Sequence, residues 1–543
     1  MQSLQKLFGF ISRHRSTVFD FHGLLRRAGP LCLAFLMVAC ASQDSSAPLG
    51  YDEGRAERLF SASYQNVSDI YIEEVAVKDL AIAGMNSLAS IEPALAVQAA
   101  GDRLRVSIDG QQMASYPMPA SDDAQAWGAL TAAVISASRY HSADLDAADP
   151  ERLYEAVFDG LLSQLDGFSR YAGRETAREN RASREGFGGI GVRIRLIEEG
   201  VLVLSVMEDT PAESAGLRQD DVIVAIDGTS VEGLSQHDVV NRLRGRTGSH
   251  VSLSIEREAS PALQTMAVVR THIVPQTVSY HREGNLAYIR LTGFNNRTVD
   301  GLRQKIRQAQ NEIGADLHGY ILDLRGNPGG LLEQSKEVSD VFMTGGRIVS
   351  THGRHNDSHQ YFRAKEDDLT AHAPLVVLID GGSASASEIV AAALQDSGRA
   401  VLVGSASFGK GTVQTVLNLP NNGEFILTWA RFHAPSGYAL HRRGVLPDIC
   451  TTGDVTTPGD VMALIQTGAL PLDANLRRTD IDTNDDAAVE AFRAHCPVRE
   501  AEAEIDMQVA RQLLEEPALY ARALHGQPDT AATATAPAIA SGS

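Results

Sequence analysis

The chain has 543 residues, of which 43% are apolar and 21% are charged, so it can bury a large core and its length predicts roughly three or four domains. Its 48 basic and 68 acidic residues leave a formal net charge of -20. This charge would repel a phosphate backbone, which argues against a general nucleic-acid-binding function.

The first forty residues are typical of an export signal. Basic residues precede a short apolar run over residues 31–39, which is far shorter than the ~20 residues needed to span a bilayer. The run ends in Met-Val-Ala-Cys40, which resembles a lipoprotein processing box with Cys40 as the acylated residue. Ordinary small-residue cleavage after Ala39 is the alternative.

Cysteine usage agrees with export. Cys32 and Cys40 lie in the signal region, so Cys450 and Cys496 are the only cysteines of the mature body. An oxidising compartment would let these two residues form a disulfide, and two unpaired buried thiols are the alternative. Neither residue has the spacing of a metal site.

Residues 41–150 form a mixed region in which we find no catalytic motif. Apolar spacing predicts a helix over residues 69–88, and alternation predicts a strand over residues 104–108. Residues 151–182 are predicted to form a helical segment that packs on the core of residues 273–455.

A glycine-rich stretch over residues 186–191, Gly-Phe-Gly-Gly-Ile-Gly, matches the GxGxxG spacing of dinucleotide-binding turns. Such a turn must open a helix, whereas residues 192–197 alternate as a strand. A nucleotide cofactor is therefore not expected here.

The order of strands, short helices and turns over residues 183–272 resembles a PDZ domain, which is mainly β. In that family, a glycine-rich loop presents backbone N–H groups to the terminal carboxylate of a bound peptide. The matching loop consists of Gly189, Ile190, Gly191 and Val192. Val239, Val240 and Leu243 on the following helix are candidates for the side-chain pocket, with ordinary core packing as the alternative.

Strands and helices alternate beyond residue 273. Buried strands are predicted over residues 286–291, 319–324, 375–379 and 401–403, and glycine turns separate several of them from helices. This pattern predicts an α/β layer whose functional residues lie at the carboxyl ends of the strands.

Ser385 lies at one of these strand-to-helix turns, within Ser-Ala-Ser385-Ala-Ser-Glu388. A helix N-terminus favours developing negative charge, so the turn suits a nucleophile. Ser385 and Glu388 also fit the S-x-x-E capping box, and from this turn alone a helix cap is the better explanation.

Lys410 ends a stretch, residues 404–410, that matches most of the phosphate-binding pattern GxxxxGK. Gly411 stands where that pattern needs Ser or Thr, and residues 413–419 alternate as a strand instead of opening a helix. ATP binding is therefore not expected, and Lys410 needs another role.

Four stretches together resemble the C-terminal processing peptidases, also called tail-specific proteases. They are DLRGNPGG (residues 323–330), SASASE (383–388), FGKGTVQ (408–414) and PSG followed by GVLPD (435–437 and 444–448). The resemblance spans about residues 153–448 and includes an inserted PDZ domain. It implies a crotonase-like α/β peptidase core of strand-helix units with helical N- and C-terminal parts.

The resemblance also implies the site residues. Ser385 matches the family nucleophile, Lys410 its general base and Gln414 the residue that orients the lysine, while the backbone N–H groups of Gly330 and Ala386 match the oxyanion hole. A lysine accepts a proton only when neutral, so its pKa must be lowered by burial. We expect Phe408, Val413 and the strand over residues 401–403 to supply apolar surroundings.

The function implied is an exported serine endopeptidase that engages proteins through exposed C-terminal tails and needs no metal or organic cofactor. The expected location is the periplasmic side of a bacterial cell envelope, with membrane contact only through a lipid anchor at Cys40. An adaptor protein is a further candidate partner. A non-catalytic PDZ scaffold that binds protein C-termini is the main alternative, and a hydrolase of small acyl substrates is another.

The remaining polar clusters are interpreted structurally. His352, His355 and His359 fit a hairpin tip better than a metal site, and residues 480–491 lack the Gly and Glu of a calcium loop. Residues 456–527 are predicted to be helical, and the Ala-, Thr-, Pro- and Ser-rich residues 528–543 to be a disordered tail.

Overall fold

The structure is a computed structural model that describes residues 50–525 apart from residues 259, 366, 454, 456 and 500–502. The predicted export signal, Cys40 and the predicted tail over residues 528–543 lie outside the described residues. None of the helices in the described part is both long and apolar enough to cross a membrane.

The N-terminal region packs helices against a small antiparallel sheet. Its helices are α1 (Glu53–Ile70), α2 (Val77–Asn86), α3 (Ala124–His141), α4 (Ala143–Ala147) and α5 (Pro150–Leu162). Its strands are β1 (Leu95–Ala100), β2 (Arg103–Ile108) and β3 (Gln111–Pro117). The single helix predicted over residues 69–88 is wrong. The chain is extended at Tyr71, and Ile72 donates its N–H to the Thr428 carbonyl 3.0 Å away instead of continuing α1.

A β-rich module follows. Strand β4 (Arg170–Ala172) and helix α6 (Arg174–Glu185) lead into it. Its strands are β5 (Phe187–Gly189), β6 (Val192–Ile197), β7 (Gly200–Val206), β8 (Val222–Ile226), β9 (Thr229–Ser230), β10 (His250–Arg257), β11 (Ser260–Val269) and β12 (Thr271–Ile273), and its helices are α7 (Pro211–Ser214) and α8 (Gln236–Leu243). The main sheet has the order β11-β10-β8-β7-β6. Strands β5 and β12 pair antiparallel, so the chain enters and leaves the module side by side.

The rest of the chain supplies the larger α/β part. Its strands are β13 (Val278–Glu283), β14 (Leu286–Leu291), β15 (Gly319–Asp323), β16 (Arg347–His352), β17 (Gln360–Arg363), β18 (Leu375–Ile379), β19 (Val401–Gly404), β20 (Thr412–Asn418), β21 (Glu424–His433) and β22 (Ile449–Cys450). Its helices are α9 (Thr298–Ile313), α10 (Leu332–Asp340), α11 (Ala386–Asp396), α12 (Pro458–Thr467), α13 (Ala474–Arg478), α14 (Asp486–Arg493), α15 (Glu504–Glu515) and α16 (Pro517–His525).

The main sheet has the order β13-β14-β15-β18-β19-β22, and all neighbours after β14 are parallel. Strands β15 and β18 are buried along their whole length because helices cover both faces of the sheet. Helices α9, α10 and α11 pack on one face, and α12, α15 and α16 pack on the other. The predicted α/β fold is confirmed, and the C-terminal helices form one of its layers.

A second, antiparallel sheet has the order β17-β16-β21-β20, with β4 paired to β21. Phe425 and Leu427 of β21 pack into the core of the N-terminal helices. This sheet joins the N-terminal region to the α/β part, and its strand β20 begins two residues after Lys410.

Candidate active site

Three loops at one edge of the main sheet form the candidate site. Residues 324–331 follow β15, residues 380–385 follow β18, and residues 405–411 follow β19. Because these strands are parallel neighbours, their carboxyl ends meet at the same edge. The three loops carry Gly330, Ser385 and Lys410, which the sequence separates by up to 80 positions.

The backbone of Ser385 is strained, with φ of 56° and ψ of −110°. An ordinary N-cap residue lies in the β region, so helix capping alone does not explain this conformation. Strain of this kind costs about 1–3 kcal/mol and persists only where neighbouring contacts hold it. A sharp strand-to-helix turn with a strained serine is a geometry that exposes a nucleophile.

The Glu388 carboxylate is fully buried. It joins the turn over residues 380–385, here called the serine turn, to the turn over residues 405–411, here called the lysine turn. It accepts the backbone N–H groups of Ser385 at 2.7 Å, Gly409 at 2.7 Å and Lys410 at 2.9 Å, and the hydroxyl of Ser407 at 2.5 Å. Burial raises the pKa of Glu388, although these four hydrogen bonds act in the opposite direction. The capping-box pattern made Glu388 visible in the sequence, but its contacts with the second turn come from the fold.

The turn that carries Gly330 presses against the serine turn. A Cβ atom on Gly329, whose φ is 99°, would lie 2.9 Å from both the Ala386 nitrogen and the Ser385 Cβ. Only glycine therefore fits at this position without a shift. The Asn327 carbonyl reinforces the contact by accepting the N–H of Ala384 at 3.0 Å and the hydroxyl of Ser387 at 2.9 Å.

Two backbone N–H groups are available for an oxyanion. Phe294 donates its N–H to the Gly329 carbonyl at 3.1 Å and accepts that of Leu331 at 2.9 Å, which leaves the N–H of Gly330 unused between them. The N–H of Ala386 is the first of α11 and has no intrahelical acceptor. Within the described residues, neither N–H donates a hydrogen bond.

Lys410 lies in a partly buried position near residues that precede β4. Its Nζ is 5.6 Å from the centre of the Phe168 ring, and it makes no hydrogen bond to any residue in the described part. Burial lowers the pKa of Lys410 and the charge of Arg170 lowers it further, whereas Glu388 and Asp166 act in the opposite direction. The shift favours the neutral amine that a general base requires.

The predicted surroundings of Lys410 need one correction. Phe408 is 52% exposed, so the prediction that it buries the amine is wrong. Its backbone is instead held by the Ser383 carbonyl, which accepts the Phe408 N–H at 3.0 Å. Phe168, in the segment over residues 151–182 that was predicted to pack on the core, supplies the nearby aromatic ring.

Gln414 lies on β20, next to a β-bulge that changes the pairing register between Val413 and Gln414. Its side-chain amide donates to the hydroxyl of Thr412 at 2.7 Å and to that of Thr428 at 3.4 Å. Within the described residues, the structure shows no hydrogen bond between Gln414 and the Lys410 amine. Catalytic hydrogen bonds often tighten only when substrate binds.

The β-rich module contains a cleft of about 120 Å³ between its glycine-rich loop and α8. Gly189, Ile190, Gly191 and Val192 all line this cleft, together with Val240 and Leu243 of α8. Val239 belongs to the core of the module instead. The Arg244 guanidinium lies 4.1 Å from the centre of the Phe187 ring at the same cleft.

Cys450 and Cys496 are joined by a disulfide. The three histidines lie around the hairpin of β16 and β17, with His352 Nδ1 3.3 Å from His359 Nδ1. In the ranges that the structure describes, no group of three or more His, Cys, Asp or Glu side chains is placed to hold a metal ion.

Comparison with known proteins identifies the β-rich module and the larger α/β part of the chain. The sequence model of peptidase family S41 matches residues 285–451, and that of the PDZ domain matches residues 188–268. The carboxy-terminal-processing protease of Bartonella bacilliformis is 43% identical over 303 residues, which are 55% of this chain and 70% of that protein. This chain belongs to the carboxy-terminal-processing protease family.

Other members of the family are also similar. The carboxy-terminal processing protease CtpB of Bacillus subtilis is 30% identical over 63% of this chain and 72% of its own length. The photosystem II D1 C-terminal processing protease, whose structure is solved, is 26% identical in sequence to this chain. The match covers 72% of this chain and 92% of that protein's chain, with a TM-score of 0.37. This member of the family is a serine-type peptidase with a PDZ domain.

Proposed function

We propose that Ser385 attacks the scissile carbonyl while Lys410 accepts the hydroxyl proton. The N–H groups of Gly330 and Ala386 stabilise the negative charge that develops on the carbonyl oxygen. The Lys410 ammonium then gives its proton to the leaving amine, and an acyl-enzyme remains on Ser385. Water hydrolyses that ester with Lys410 again acting as the base.

The observation that carries this proposal is the buried Glu388 carboxylate, which bonds both the strained serine turn and the lysine turn. A helix cap requires only contacts within its own helix. A non-catalytic scaffold gives no reason to hold a strained serine beside a lysine of lowered pKa.

We propose further that the PDZ domain binds the C-terminal tail of a polypeptide substrate. Its cleft has the two features that such a tail requires, namely a glycine-rich loop with N–H groups for the carboxylate and apolar residues for the last side chain. Proteins with exposed, apolar C-termini are therefore the proposed substrates.

The decisive experiment compares two forms of one unstructured substrate, with a free and with an amidated C-terminus. Cleavage of the free form is expected to be faster, because the amide lacks the charge that the loop binds. Val240→Gln, at the cleft, is expected to remove most of this preference. Val222→Gln, at a partly buried valine outside the cleft, is the matched control and is expected to keep it.

Equal cleavage of both forms would contradict tail recognition but not the peptidase chemistry. Tail binding without cleavage by the wild-type protein would instead favour the scaffold alternative or the need for an activating adaptor.

We also propose that the protein is exported to the periplasmic side of a bacterial envelope and anchored by a lipid on Cys40. The disulfide between Cys450 and Cys496 supports an oxidising compartment. Cells that express the protein are expected to incorporate labelled palmitate into it, and Cys40→Ser is expected to abolish the label. A labelled Cys40→Ser protein, or a wild-type protein found in the cytoplasmic fraction, would contradict this proposal.

A further inference from the structure

The turn that carries Lys410 is held from two sides by groups of opposite charge. Glu388 holds its inner side through the N–H groups of Gly409 and Lys410. On the other side, Arg493 Nη2 donates to the Ser407 carbonyl at 2.9 Å, and Arg493 Nη1 lies 3.4 Å from the Phe408 carbonyl. No other described residue donates to these two carbonyl oxygens.

Arg493 also fixes the chain segment opposite the lysine turn. Its Nη1 lies 3.3 Å from the Arg442 carbonyl and 3.2 Å from the Arg443 carbonyl. The Arg442 N–H donates to the Gly409 carbonyl at 2.7 Å, so this segment runs directly beside the turn. One planar guanidinium therefore contacts both the Ser407–Phe408 backbone of the lysine turn and the Arg442–Arg443 backbone beside it.

Arg493 comes from outside the matched peptidase region. It is the last residue of α14, which lies beyond residue 451, where the S41 match ends. The disulfide of Cys496 to Cys450, on β22 of the main sheet, anchors the chain three residues further on. Residue Arg499 continues this attachment, since its carbonyl accepts the Gly381 N–H of the serine turn at 2.8 Å.

We propose that Arg493 is a positioning residue for catalysis, which holds the Ser407–Phe408 backbone so that the Lys410 amine stays enclosed and aimed at Ser385. The proposal rests on the Ser/Lys function proposed above. Within the described residues, the Arg493 side chain makes no hydrogen bond to Lys410 or Ser385. It acts through the backbone of the turn, and its charge also interacts with Glu388.

The charged groups around Lys410 make a pH measurement informative. Glu388 faces Lys410 from α11, Asp166 faces it from the segment before β4, and Arg170 faces it from the first position of β4. Arg431 lies on β21 opposite Thr412. His441 is close as well, because its ring is 6.1 Å from that of Phe168. Burial is the main cause of the lowered pKa of Lys410, so a loosened turn that admits water would raise that pKa.

The experiment measures kcat and KM of the full chain on an internally quenched peptide with a free apolar C-terminus, from neutral to alkaline pH. Arg493→Ala is expected to lower kcat by about 10- to 100-fold with KM unchanged, since small misplacements of catalytic groups have effects of that size. The acidic limb of its kcat profile is expected to move to higher pH. Arg493→Lys, which keeps the charge but lacks the planar fork, is expected to recover part of the loss.

Arg522→Ala is the matched control, because Arg522 also donates to a backbone carbonyl, that of Gln466 at 2.9 Å, but lies on α16. It is expected to behave as the wild type. A wild-type kcat in Arg493→Ala, or a loss of kcat with an unmoved acidic limb, would overturn the proposal. If Arg493→Ala does not fold, Arg493→Lys replaces it in the test. Its kcat and the position of the acidic limb of its kcat profile are then judged by the same criteria. Failure of the wild type to cleave would instead count against the proposed function or show that cleavage needs an activating adaptor.

Discussion

Alanine at Ser385 is expected to lower peptide turnover by about 10⁴-fold or more, because this hydroxyl is the proposed nucleophile. Binding of the tail to the PDZ domain is expected to persist, since the cleft contains no residue of the serine turn. Turnover is measured with a quenched peptide and tail binding by fluorescence anisotropy. Ser397→Ala, at the opposite end of α11, is the matched control and is expected to remain active.

Lys410→Ala is expected to cause a loss of similar size, because Lys410 is the proposed acceptor of the serine proton. Lys305→Ala, at a partly buried lysine on α9 that donates to the Gln308 side chain, is the control. In the wild type, activity is expected to rise with pH as Lys410 loses its proton. Its pKa is lowered by burial, so the midpoint lies below the ordinary value of about 10.4. An active Lys410→Ala protein would contradict the assignment of the base.

Glu388→Gln is expected to lower kcat by about 10²-fold, because misplaced catalytic groups have effects of that size. The carboxylate accepts four hydrogen bonds, whereas a glutamine amide has one oxygen and turns its NH₂ group toward other donors. The serine turn would therefore shift relative to the lysine turn, which Arg493 still holds. The measurement is kcat on the quenched peptide, with thermal unfolding as a check of the fold.

Glu388→Gln is also expected to move the acidic limb of the kcat profile in a defined direction. The negative charge of Glu388 raises the pKa of Lys410, so removing that charge lowers the pKa and extends activity to lower pH. Glu424→Gln is the matched control, because Glu424 is also fully buried but pairs with Arg181 and Arg184 on α6. It is expected to lower thermal stability without moving the acidic limb. A limb that moves upward in Glu388→Gln would contradict this account.

Glu388→Gln and Arg493→Ala therefore have opposite expected effects on the pH profile, although both are expected to lower kcat. The first removes a charge that opposes deprotonation of Lys410, and the second admits water to the amine. A general loss of structure would move both profiles in the same direction or neither. The two variants are thus expected to shift the pKa of one lysine in opposite directions, and Arg493→Lys, which keeps the charge, tests the effect of the loosened turn by itself.

Much of the candidate site could be predicted from the sequence because its motifs are local. Ser385 lies in one turn after a strand and Lys410 in another, so short motifs that resemble a known family point to both. The neighbours that set the pKa of Lys410 could not be predicted in this way. Phe168, Arg170 and Asp166 lie more than 200 positions away, and Arg493 lies beyond the matched peptidase region.

Residue Gln414 illustrates a different limit. The spacing of four positions from Lys410 is compatible with a contact, but the β-bulge after Val413 determines where the side chain points. In this structure its amide donates to Thr412 and Thr428. A bulge depends on pairing with β21, which one strand alone does not reveal.

Local patterns were enough to predict the α/β class, because apolar periodicity and glycine turns are properties of short segments. The PDZ domain and the proposed nucleophile and base followed instead from the resemblance of short motifs to a known family. How these segments cooperate depends on the tertiary structure. Parallel pairing of β15, β18 and β19 brings three loops to one edge, and the buried Glu388 joins two of them. The cysteine count indicated the disulfide of Cys496, but the contact of Arg493 with the lysine turn is a long-range one that no local pattern in the chain encodes.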